Sequence, residues 1–175
     1  MSAPFEPPRA FFEFRILRPL GRGAMGEVFL AEDELLGRQV AIKFVRQADR
    51  PEMRARFLLE ARALARLQHP NVVTVHRVGE VLGRPFLVSE WVKGESLDRL
   101  RLPLSASAAM QVALQLARAL AAVHRVGVLH RDLKPANVLL SESGELKLVD
   151  FGVSTELGEP LLEAPLVASS SLAET

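Results

Sequence analysis

His130-Arg131-Asp132-Leu133-Lys134-Pro135-Ala136-Asn137 is the stretch on which the reading of this chain rests. It gathers an imidazole, two cations, a carboxylate and a carboxamide directly after the apolar run Val126 to Leu129. Pro135 has no N–H to donate and clashes with a preceding helical turn, so the stretch is not an ordinary helix interior. A polar cluster this dense beside buried chain reads as an active-site loop on a rigid support.

The flanks supply that support. Upstream, Ser105 to Arg125 forms the longest predicted helix, with Ser105 as N-cap. Val112, Leu116, Ala119 and Val123 give it a buried stripe, and Gly127 is placed to stop it. Downstream, Val138 to Leu140 and Leu146 to Val149 form a short hairpin that closes on Asp150-Phe151-Gly152. Beyond Ser154, Gly158, Pro160 and Pro165 interrupt any periodicity. Residues 156–175 therefore read as a loosely attached or disordered tail.

Earlier in the chain, residues 1–13 carry three prolines and read as a flexible leader. Strands follow at Phe12 to Leu20 and Val28 to Ala31, around Gly21-Arg22-Gly23-Ala24-Met25-Gly26. Glycines there allow a tight turn and a close backbone approach to phosphate oxygens. A dinucleotide-binding version of this pattern needs a helix at the loop and an acidic residue about 20 positions on. Here an apolar strand follows, and the position in question is Arg46.

Val40 to Val45 is a third strand with Lys43 in its middle. Pro51 to Leu67 reads as a helix whose stripe is Phe57, Ala61, Leu64 and Leu67. Glu60 points along that inward stripe, and a carboxylate there needs a partner, for which Lys43 is the available cation. Arg54, Arg56, Arg62 and Arg66 form the solvated face, and His69 caps or packs. Val72 to Val78 and Pro85 to Val92 complete five strands, the last opening into a polar connector that suits a hinge between lobes. Glu95 and Asp98 are assigned to a short helical stretch that faces either solvent or a ligand, solvent being the simpler reading.

Composition sets outer bounds. The chain has 175 residues, enough for one domain or two small lobes. Lys and Arg number 22 against 21 Asp and Glu, so nothing in the balance calls for nucleic acid or an anionic membrane. Cysteine is absent, which excludes disulfides and thiolate chemistry. The N-terminus lacks a secretory pattern, and no stretch reads as roughly 20 consecutive apolar residues. A soluble, cytoplasmic globular protein is the expectation.

Taken in order, Gly21-x-Gly23-x-x-Gly26-x-Val28, Val40-Ala41-Ile42-Lys43, a helix glutamate, His130-Arg131-Asp132 with Asn137, and Asp150-Phe151-Gly152 resemble the motif set of eukaryotic-type protein kinases, which also occur in bacteria. The match runs over about residues 14 to 155. The resemblance implies an α+β kinase fold: a five-stranded N-lobe with one long helix over 14–92, then the start of a helical C-lobe over 93–155. It implies ATP and Mg²⁺ as cofactors and a protein carrying Ser or Thr as substrate.

By the same resemblance, Gly21 to Gly26, including Arg22, Ala24 and Met25, covers the ATP phosphates, with Leu20 and Val28 against the adenine. Ala41 and Leu139 form the roof and floor of the slot. Glu90 to Val92 present the hinge backbone, Ser89 gates a back pocket, and Glu95 contacts the ribose. Lys43, kept in place by Glu60, holds the α- and β-phosphates. Asp150 and Asn137 bind Mg²⁺, Asp132 is the general base, and Lys134 contacts the γ-phosphate, as in the Ser/Thr-specific branch. His130 and Phe151 are structural and join Leu64 in an apolar column.

The family pattern continues after Asp-Phe-Gly to an Ala-Pro-Glu motif and further helices. Here Ala164-Pro165-Leu166 departs from that motif, and the sequence ends at Thr175. The resemblance therefore implies a C-terminally truncated domain, a partly uncovered Ser105 to Arg125 helix, and no acceptor for Arg131. Two readings follow: an ATP-dependent Ser/Thr protein kinase, or a nucleotide-binding or regulatory remnant that transfers no phosphate.

Overall fold

Apolar residues alternating along Phe14–Gly23 (β2), Gly26–Asp33 (β3) and Arg38–Val45 (β4) build an antiparallel sheet in the computed structural model, which describes residues 5–23, 26–45, 51–101 and 103–151. Ala10–Phe11 (β1), Val75–Val81 (β5) and Arg84–Glu90 (β6) extend it to six strands in the order β1-β2-β3-β4-β6-β5. Cross-strand partners share a face, so the register sorts the side chains. Phe29, Ile42 and Val88 lie on one face, with Phe44 and Phe86 beside them. Val28 opposite Lys43, Leu30 opposite Ala41, and Ser89 and Leu87 opposite Ala41 and Lys43 fall on the other.

The aromatic face is covered by the segment read as a flexible leader. From Phe5 onward that segment is packed rather than loose. Phe11 is buried, with its ring 5.1 Å from Phe86 and 5.7 Å from Phe44. Phe5 lies 5.1 Å from Phe44 and under the Arg84 guanidinium, 4.0 Å from its ring centre. Prolines exclude helix here, but large rings still bury against other rings. Residues 1–4 lie outside the described residues, as does the predicted tail.

Pro51–Ala65 (α1) buries Phe57, Ala61 and Leu64 at the predicted spacing. Ala106–Arg125 (α2) starts at Ser105, whose Oγ accepts the Ala108 N–H at 3.2 Å. It stops at Gly127, which adopts φ +74° and donates to the His124 carbonyl at 3.0 Å. By length and composition α2 is apolar enough to cross a membrane, contrary to the expectation that no stretch is. It packs on the core along one stripe only, where Ala119, Ala122 and Val123 are buried and Gln115 caps polar groups of the core, while Met110 and Leu114 are exposed, so the helix is partly uncovered as expected.

A second sheet, β7-β8-β9, comprises Gly94–Ser96, Val138–Ser141 and Leu146–Leu148. Glu95 thus lies in a strand paired to Leu140, not in a helical stretch, because the residues after the connector find the open edge of β8. The two sheets are joined through the segment after α1. The Asn71 side chain donates to Gln115 at 2.9 Å and to the Leu146 carbonyl at 3.0 Å. Its own carbonyl accepts the Leu148 N–H at 2.8 Å, and Val73 donates to the Leu148 carbonyl at 3.0 Å. Leu64, Val72, Val123, Leu146, Leu148 and Phe151 then share one core.

Candidate active site

The charge-dense loop hangs from these supports in a defined way. Pro135–Asn137 forms one 3-10 turn with Pro135 at its first position, where the missing N–H costs nothing. Two non-glycine residues nearby adopt left-handed backbone, Arg131 at φ +58° and Asp150 at φ +56°. Such conformations cost of order 1–3 kcal/mol each and persist only where neighbours over-determine them. Val149 is the main neighbour. Its N–H donates to the Asn137 carbonyl at 3.0 Å, and its carbonyl accepts His130 Nε2–H at 2.9 Å. Both ends of the loop are thus tied to the residue before Asp150.

Within the loop, Asp132 Oδ2 accepts Lys134 Nζ at 2.6 Å and Asn137 Nδ2 at 3.0 Å. Asn137 Nδ2 also donates to the Asp132 carbonyl at 2.8 Å. Both bonds run through Nδ2, which orients the carboxamide with Oδ1 on the other side. The Lys134 hydrogen bond, helped by Asn137, holds the Asp132 carboxyl below its usual range against a weaker opposing effect of burial. Lys134 is raised in return, chiefly by its bond to Asp132. Burial holds the His130 imidazole below its ordinary value, over the opposing Val149 bond and the charges of Asp150 and Asp132. With Nε2–H donating, Nδ1 is the bare nitrogen, and it is buried without a partner. The His130 ring lies 5.0 Å from that of Phe151, and Phe151 and Leu64 belong to the same core.

The cations pair differently from the sequence expectation. Lys43 forms its ion pair with Asp150, where Glu60 was the expected partner. Glu60 meets Arg131 at 3.2 Å, so Arg131 has an acceptor after all. One pair thus links β4 to Asp150 and the other links α1 to the loop. Arg131 leaves the loop from left-handed backbone, which extended or helical backbone would not reproduce, and a one-dimensional spacing does not register that turn.

The remaining predicted residues fall into place as follows. Val28 and Ala41 lie on the sheet face that carries Lys43, and Leu139 pairs across to Lys147 on the second sheet. Leu20 and Gly21 line a cavity of about 440 Å³ with Phe5, Pro7 and Phe29, which opens on the leader side of the hairpin. Arg22 bonds the buried Glu27 at 3.2 Å, and Gly23 pairs with Gly26. Gly26 sits at φ +155°, and a Cβ there would fall 2.1 Å from the Phe44 carbonyl oxygen. Ala24 and Met25 lie outside the described residues. Val92 lies on the connector between β6 and β7, just after Glu90.

Lys147 was passed over in the sequence. It reaches Glu90 Oε1 at 2.9 Å, and the same oxygen accepts the Thr74 N–H at 2.8 Å. Burial pushes the Glu90 carboxyl up, but Lys147 and Thr74 together outweigh it and hold the group below its usual value. The available signal was a lysine alternating with Leu146 and Leu148 on a short strand.

This arrangement has close counterparts among known proteins. A probable serine/threonine-protein kinase of Streptomyces coelicolor is 39% identical over 163 residues, covering 88% of this chain and 24% of the relative. The serine/threonine-protein kinase pkn2 of Myxococcus xanthus is 45% identical over 154 residues, covering 84% and 18%. The chain thus spans about a quarter or less of the length of these relatives. Among solved structures, the PknI kinase domain of Mycobacterium tuberculosis superposes with a TM-score of 0.73 at 33% identity, covering 83% of this chain and 62% of that one. The family model for the protein kinase domain matches residues 14–170, from β2 through β9 and so including both helices and the tied loop. The chain therefore belongs to the protein kinase domain family.

Proposed function

We propose that this chain is the catalytic part of an ATP-dependent serine/threonine protein kinase, transferring the γ-phosphoryl group of ATP to a protein hydroxyl. One observation carries the reading. Asp132, Lys134 and Asn137 are mutually hydrogen-bonded in a loop that Val149 ties to Asp150. Phosphoryl transfer asks mainly for positioning and for offsetting charge on the transferred group, and these residues are held as one unit.

In this reading the substrate Ser or Thr hydroxyl gives its proton to Asp132 as its oxygen bonds to the γ-phosphorus. The bond from that phosphorus to the β-bridging oxygen breaks, and ADP leaves. Asp132, held ionised by Lys134, is ready to accept the proton at neutral pH. Lys134, half-exposed beside it, offers its ammonium to the γ-phosphate. Lys43 meets the α- and β-phosphates, Val28, Ala41 and Leu139 enclose the adenine, and the Glu90 to Val92 backbone reads its edge.

Asp150 and Asn137 suit Mg²⁺, which takes one or two protein oxygens and completes its shell with phosphate and water. When bound, the ion supplies charge that offsets the phosphates.

A second reading, an Mg-ATP-binding module without transfer, is favoured by the pairing of Lys43 with Asp150 and of Glu60 with Arg131. The deciding experiment is transfer from labelled ATP to a generic Ser/Thr protein beside an Asp132→Asn control. Label above the control supports the kinase. Equal background from both, with Mg-ATP still bound, supports the module.

A further inference from the structure

Leu146 and Leu148 are fully buried in the core shared by the two lobes. The two-residue period of a strand turns Lys147, between them, to the opposite face. There its cross-strand neighbour is Leu139, and its ammonium reaches Glu90, 57 residues earlier in the chain. The two side chains are only 14% and 28% exposed, so the pair is screened by salt less than a surface pair. The Thr74 N–H bonds the same carboxylate oxygen, and the Glu90 N–H returns a bond to the Thr74 carbonyl at 2.9 Å. Glu90 is thus fixed by its backbone to the first lobe and by its carboxylate to the second.

Glu90 opens the connector, and Asp150 follows Lys147 by three residues. The ion pair therefore joins the start of the connector to the strand that leads into Asp150. We infer that Lys147 is a positioning residue that sets the distance between the Glu90 to Val92 connector and Asp150, and with it the reach from the base of a bound adenine nucleotide to its phosphates. This rests on the proposed kinase reading. A ligand that touches both ends depends on the spacing, whereas a ligand that touches only the connector does not.

The test compares Mg-ATP with adenosine by titration calorimetry on the whole chain. Lys147→Met keeps the stem and removes the charge. It weakens Mg-ATP about 10-fold, the scale of a coupling between contacting groups, and leaves adenosine within about 2-fold. Lys147→Arg recovers most of the loss. Glu90→Gln keeps an acceptor for Thr74 and breaks the same ion pair from the other side, so it too weakens Mg-ATP and the result does not hang on one variant's folding. Trp91, the sole tryptophan, adjoins Glu90 and reports on the connector without any ligand. Acrylamide quenching of its fluorescence rises in Lys147→Met.

Equal weakening of both ligands would assign Lys147 a merely structural role and overturn the inference. So would a Lys147→Met protein that matches the wild type in Mg-ATP affinity and in Trp91 quenching. A wild type that binds neither ligand sinks the kinase reading and the spacing role together. A wild type that binds both, with an indifferent variant, sinks only the latter.

Discussion

Asp132 and its two donors are the smallest unit with a measurable consequence. On the proposed kinase reading, Asp132→Asn removes the proton acceptor but keeps the shape, so transfer is expected to fall about 10²–10⁴-fold while Mg-ATP affinity changes little. Single-turnover transfer and calorimetry on the same protein check this. Lys134→Ala removes the strongest influence holding the Asp132 carboxyl down. The acid limb of the pH–rate profile then moves to higher pH, in addition to any loss of rate. His130 makes a separate prediction. Its folded-state pKa lies below the ordinary value of 6.5, so protonation favours the unfolded chain. Its contribution is complete above that value and is lost as pH falls from there through the lower folded-state pKa, and His69 and His76, also lowered mainly by burial, act with the same sign. The melting temperature therefore drops on acidification from about pH 7.5 to about pH 5.5, the interval bracketing an unperturbed imidazole. His130→Phe flattens part of that drop, as a thermal-melt series across the interval shows.

At the scale of elements, two positions report on how the sheets hold the site. In β3, Gly26→Ala would push a methyl into the Phe44 carbonyl of β4 from a backbone that L-residues rarely adopt. The glycine hairpin must then part from β4, and Mg-ATP affinity falls before global stability does. In β9, Leu148→Ala empties a fully buried position in the core shared by the lobes, at a cost of about 2–5 kcal/mol. Urea unfolding measures it. The elements themselves were largely legible in the sequence. Phe57, Ala61 and Leu64 announce α1, Ser105 and Gly127 bracket α2, and Val40 to Val45 reads as a strand without help. What periodicity missed was what covers what. Three prolines disguised the leader, although Phe5 and Phe11 carry the rings that close the aromatic face. Val72 was assigned to a strand of the first sheet, but it bridges in parallel to Leu148 of the second.

For the molecule as a whole, ligand binding to the folded state alone raises stability by mass action, about 2.7 kcal/mol at a hundredfold excess over Kd. Mg-ATP is accordingly expected to raise the melting temperature of the wild type and to do so much less for Lys43→Met combined with Asp150→Ala. On the proposed reading, the types of residue at the site are legible because phosphoryl chemistry demands a cation, a carboxylate and hard oxygen donors at set places along the chain. Their partners were less readable. Glu60 with Arg131 spans 71 residues and Lys147 with Glu90 spans 57, and no local pattern encodes such distances. The seam at Asn71 carries a further consequence, for synthesis on the ribosome. Its side chain bonds the Leu146 carbonyl, 75 residues later. At translation rates of about 5–20 residues per second, roughly 4 to 15 s separate the emergence of the two partners. Within that interval the six-stranded sheet is completed once Glu90 has emerged, while Val72, Val73 and the inner edge of α1 still await their cover. The nascent chain thus presents a sticky, half-built surface at one defined moment, and that moment is where a chaperone would find it.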